Sequence, residues 1–206
     1  MIHDLLVRWV VTGLFALGAL GCGVPILTRR RPATVVVSRS LHFLMATGMA
    51  VMAWPWGARL PASAPAAFFL LAAVWFVAIA LITARSPAAR ASAGYHSLMM
   101  LATAWMYLSM NSLGSLTASL SQPPAPMPEM NMAAMDHTAT TQPPTWVTTM
   151  NWLGVVIFTI AAASWVVAYL RERRRSTIQP PLLGDITEAM MATGMAILFA
   201  AALIEL

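Results

Sequence analysis

The stretch VVVSRSLHFLMATGMAVMAW, Val35–Trp54, decides the fold. Crossing a bilayer as a helix takes about 20 predominantly apolar residues, and this run meets that length. Its ligand-capable side chains recur with a period. His42, Met45, Met49 and Met52 stand at offsets of 0, 3, 7 and 10, which is one face of a helix. Five further apolar runs surround it: Leu5–Leu27, Ala66–Thr83, Ala93–Leu116, Trp146–Leu170 and Ile186–Leu206. Length and patterning predict that all six are spanning helices. The expected fold is all-α: a polytopic integral membrane protein of six transmembrane helices, with residues 1–206 as a single membrane domain.

Composition agrees. The chain is 59% hydrophobic and 9% charged, where a soluble domain carries about 25% charged residues. Its mean hydropathy is +0.73. The formal net charge of +5 comes from twelve arginines, no lysine and seven acidic residues, and the arginines cluster. Arg29, Arg30, Arg31 and Arg39 belong to the junction of the first and second runs, Arg85 and Arg90 to that of the third and fourth, and Arg171, Arg173, Arg174 and Arg175 to that of the fifth and sixth. By the positive-inside rule these junctions are cytoplasmic. The N-terminus, the C-terminus and the polar, Pro-rich stretch 117–145 are then extracytoplasmic, in a multi-pass protein of the cell membrane. The basic residues therefore set topology and do not indicate nucleic acid. "ALGC", ending at Cys22, has the look of a lipoprotein cleavage site, but the triple arginine at 29–31 favours a retained span.

The second, fourth and sixth runs share a direction and a pattern. The fourth reads His96, Met99, Thr103, Met106 and Met110; the sixth reads Glu188, Met191 and Met195. The hexapeptide MATGMA occurs twice, at Met45–Ala50 and Met191–Ala196, and its alignment puts Glu188 in the place of His42. If the three faces converge, His42, His96 and Glu188 share one depth, with Met45, Met99 and Met191 about one turn further out. Met49, Thr103 and Met195 follow, then Met52 and Met106. Thioethers are soft, uncharged donors for Cu(I), and imidazole also suits copper. Buried His and Glu in spans face a cavity or the bundle interior. Gly48 and Gly194 would let a neighbouring helix come close. Met also fills irregular gaps in cores, so the same stripe is what plain packing would produce.

The outer segment PAPMPEMNMAAMDH holds Met127, Met130, Met132, Met135 and His137. A solvated Pro-rich loop has no core for Met to fill, and three or four thioethers with an imidazole suit Cu(I). The expected arrangement is an outer capture site feeding a ladder of Met rungs. The tryptophans Trp9, Trp54, Trp56, Trp146 and Trp152 read as interfacial anchors. Asp185 reads as the cap of the sixth helix, and Cys22 as a packing residue. One cysteine excludes an intramolecular disulfide and a Cys-rich metal site. Phosphate-binding loops, a Ser/His/Asp set and Cys-x-x-Cys are missing, so neither an enzyme nor an energised pump is expected.

Two resemblances follow from these motifs. MATGM has the Met-x-x-x-Met spacing of the Ctr-type copper transporters, whose transmembrane methionine rings form a selectivity filter. That likeness implies filter roles for Met45, Met49, Met191 and Met195; Thr103 departs from it. Over most of its length, through MIHDLLVRW, HFLMATGMAVMAW, YHSLMM and the Met-rich loop, the chain resembles a family of small actinobacterial membrane proteins without an assigned function. Three functional expectations result. The first is a copper-binding membrane protein that handles or conducts Cu(I). The second is a b-type haem protein with His42 and His96 as axial ligands. The third is a non-catalytic subunit of a larger respiratory or transport complex. A homo-oligomer is also compatible with the pattern.

Overall fold

A computed structural model describes residues 4–28, 32–57, 61–82, 86–120, 145–175 and 183–204. Six helices account for nearly all of them: α1 (Leu5–Thr28), α2 (Ala33–Met52), α3 (Ser63–Ile82), α4 (Pro87–Leu120), α5 (Thr145–Arg175) and α6 (Leu183–Ile204). No strand occurs among the described residues. Five helices are long and apolar enough to cross a membrane, and the chain is a membrane protein. α4 differs from the expectation of six equivalent spans: it is long enough but less apolar. It carries Tyr95, His96, Ser97 and Thr103, and Ser97 and Thr103 are buried inside the bundle. Polar residues that face protein lower a helix's average hydropathy without meeting lipid.

The ends follow local chemistry. Asp4 accepts a hydrogen bond from the Leu6 amide at 2.9 Å and caps α1. Ser86 accepts one from the Ala89 amide at 3.2 Å, ahead of Pro87 in the first turn of α4. Asp185 falls inside the first turn of α6, not at its cap, because that helix already begins at Leu183. There its carboxylate meets the positive end of the helix dipole. Arg39 and Arg90 lie within α2 and α4, not between helices. α4 runs on to Leu120 and α5 opens at Thr145, so the expected loop 117–145 shrinks at both ends.

The helices pack in a fixed set of neighbours. α1 lies along α2 and α6, α5 along α6, and α3 along α4. One buried cluster fills the middle: Phe15 from α1, Phe69 and Phe76 from α3, Phe158 from α5, and methionines from α2, α4 and α6. Polar links cross between helices among the described residues. Trp54 donates to the Thr12 hydroxyl at 3.1 Å, Ser97 to the Ala73 carbonyl at 3.0 Å, and Trp105 to Asn151 at 3.2 Å. Trp9 stands edge-on to Trp54, while Trp56, Trp146 and Trp152 are exposed. That placement suits aromatic anchors at a membrane surface.

Candidate metal centre

The faces of α2, α4 and α6 that carry the repeated pattern all turn into this cluster. Met45, Met49, Met99, Met191 and Met195 have no exposed surface, and Thr103 has none. Met52 and Met106 are buried beside them, so the seven methionines of the ladder belong to one contiguous core. The Met110 side chain lies outside the described residues, as do Met127, Met130, Met132, Met135 and His137.

At one end of the stripe the three polar residues meet. The rings of His42 and His96 stand edge to face with centroids 4.5 Å apart. His96 Nε2 lies 3.2 Å from Glu188 Oε1. One ligand atom from each of His42, His96 and Glu188 falls within 4.8 Å of the other two. Phe76 of α3 walls the site, with its ring 5.3 Å from His42 and 5.5 Å from His96. Tyr95 packs at 5.7 Å from His96 on one side and 5.9 Å from Trp165 of α5 on the other. Sequence reading missed both walls. Phe76 belongs to a helix with no ligand-type residue, and Tyr95 is hidden beside the histidine it flanks.

Hydrogen bonding assigns the donors. His42 Nδ1 lies 2.7 Å from the Ser38 carbonyl one turn earlier. A carbonyl only accepts, so Nδ1 carries the proton and Nε2 presents a lone pair. That is how a metal-binding histidine is ordinarily held. His42 is 4% exposed, and its Nε2 has no hydrogen-bond partner; Glu188 Oε2 is buried and unpartnered too. Unsatisfied buried polar atoms are rare in native proteins and call for a ligand, an ion or a water.

The two hexapeptides use their glycines as expected. A Cβ on Gly48 would lie 2.8 Å from the Tyr107 hydroxyl, and one on Gly194 would lie 2.8 Å from the Phe15 ring. Each glycine therefore admits a neighbouring helix beside a Met-x-x-x-Met pair.

A family model described as a domain of unknown function, DUF5134, matches residues 34–202. The chain belongs to the DUF5134 family. It is 52% identical over 98% of its length to the uncharacterized protein Rv0970 of Mycobacterium tuberculosis, covering 99% of that chain. It is equally similar, with the same coverage, to uncharacterized protein Mb0995 of Mycobacterium bovis. These matches bear out the likeness to actinobacterial membrane proteins. No solved structure matches the chain. The span that defines this DUF5134 protein contains His42, His96, Glu188 and every methionine of the ladder.

Proposed function

We propose that this DUF5134 protein binds copper inside the membrane and passes Cu(I) along the Met-lined face of α2, α4 and α6. The observation that carries the reading is the meeting of His42, His96 and Glu188, with His42 Nε2 and Glu188 Oε2 both buried and unpartnered. Packing accounts for buried methionines but not for two orphaned donors at one point. The set of two imidazoles and a carboxylate suits Zn(II) or copper. The thioether layers that continue from it favour Cu(I), because zinc is ordinarily held by thiolate, imidazole and carboxylate. Repeated weak sites let an ion enter and leave, which conduction needs.

In this reading the Arg-rich junctions face the cytoplasm of a plasma-membrane protein. The His/His/Glu set is the inner site, and Met127–His137 is the outer capture segment. The haem alternative fits less well, since the two rings touch and leave no slot for a macrocycle between them. The experiment is Cu(I) entry into vesicles that contain the purified protein and a lumenal Cu(I) dye. Entry faster than in protein-free vesicles, abolished when Met45, Met49, Met191 and Met195 are all changed to Leu, supports conduction. Entry no faster than in empty vesicles removes it.

A further inference from the structure

We propose that Cys22 supplies a sulfur ligand to the His42/His96/Glu188 centre from α1, making it a four-donor site for a soft cation. The inference rests on reading that centre as a metal site. Cys22 lies on the inward stripe of α1, with Val11, Phe15 and Ala19 at helical spacing, and all four belong to the buried core. Its neighbours in the chain fix its depth. Gly21 abuts the Thr187 side chain, one residue before Glu188. Gly23 faces the Phe43 ring, one residue after His42. Cys22 therefore lies at the level of both residues, on the helix that packs along α2 and α6.

The second observation comes from the other side. His42 is 4% exposed, yet its Nε2 finds no partner, and neither does Glu188 Oε2. A cation there gains donors from α2, α4 and α6, and α1 is the remaining helix that packs on both α2 and α6. Cys22 is its only residue at that depth with a metal-binding atom. In this structure the sulfur stands outside the 4.8 Å set formed by the other three. Ligation requires the sulfur to move toward the other three as the metal binds. The thiol gives up its proton to solvent as the metal–sulfur bond forms, and no electron is transferred.

The chain has a single cysteine, so a thiolate-to-metal charge-transfer band belongs to Cys22 alone. The reduced full-length protein in detergent is titrated with Cd(II), and ultraviolet absorbance and bound metal are read together. The expected result is a band that saturates with bound cadmium in the natural chain. It is lost in C22S and C22A, which still bind cadmium more weakly, and lost in H42A/E188Q. Alanine and serine test the buried position with and without a hydroxyl, and an unchanged helical circular dichroism signal qualifies each variant. Cadmium bound through His42 and Glu188 without the band overturns the ligand role of Cys22 and leaves the metal centre standing. A band that persists in H42A/E188Q overturns it too, because the thiol then acts alone. No binding of Cd(II) or Cu(I) by the natural chain overturns the metal reading itself, and the Cys22 assignment with it.

Discussion

The two copies of Met-Ala-Thr-Gly-Met-Ala are the same six residues in different settings. In α2 the glycine receives the tip of Tyr107 from α4; in α6 it receives the flat of the Phe15 ring from α1. One turn before the repeat, α2 presents an imidazole and α6 a carboxylate. The methionines of both copies have no exposed surface. The shared letters thus supply what the copies have in common, a pair of inward thioethers and a gap for a neighbour. The unshared residue before them supplies the difference, an imidazole on one side and a carboxyl group on the other.

The largest expected effect tests that difference. Removing both unlike residues, in H42A/E188Q, is predicted to weaken copper binding by more than the roughly 10- to 100-fold typical of losing a supporting group alone. Competition with a Cu(I) chelator measures it. A double change without effect would mean that the two orphaned atoms serve no ligand.

The next effect separates the two gaps. G194A brings a methyl onto the face of an aromatic ring held in the core, and overpacking of that kind costs about 1–3 kcal/mol. G48A meets the Tyr107 hydroxyl at the far end of a side chain, with the Phe69 ring at ordinary contact distance, so its cost is expected below about 1 kcal/mol. Thermal unfolding of the two variants in the same detergent compares them, and equal losses would erase the distinction between the copies.

Thioether chemistry is separable from packing in a third pair. Met49→Leu and Met195→Leu nearly conserve volume, so each is expected to cost less than about 1.5 kcal/mol. Both remove a soft donor and are predicted to lower Cu(I) affinity. Affinity unchanged in the two together marks these methionines as filling alone. The smallest effect is expected away from both copies. Ser97→Ala loses one hydrogen bond to the Ala73 carbonyl, worth about 0.6 kcal/mol within membranes. It should leave copper affinity where it was.

Much of this was legible in the order of residues. Length and hydropathy located all six helices, and the 3.6-residue period identified the faces of α2, α4 and α6 that turn inward. The low hydropathy of α4 was not weighed, because Ser97 and Thr103 look unfavourable until a neighbouring helix covers them. Helix ends shifted for a related reason: α4 and α5 continue past their apolar stretches, where backbone bonding outlasts hydropathy. Arg39 and Arg90 looked like junction residues because charge was read as a boundary, yet each sits on a helix.

The meeting of His42, His96 and Glu188 was not determined by periodicity. A period fixes which residues share a face but not how far a helix is rotated about its axis, and packing against α1 and α3 sets that rotation. Cys22 reads as a packing residue in the sequence because a single cysteine carries no pattern. Only the contacts of Gly21 and Gly23 with residues beside Glu188 and His42 give it a depth.

The central claim is that these three inward faces hold copper, and its most direct test is the copper-to-protein ratio. The full chain is purified under reducing conditions, offered Cu(I), freed of excess and assayed, beside H42A/E188Q and a form lacking residues 121–144. The account predicts stoichiometric copper in the natural chain. It predicts that copper is retained without the outer segment and lost in H42A/E188Q. Copper that disappears with residues 121–144 and survives H42A/E188Q, or no copper in any form, contradicts it.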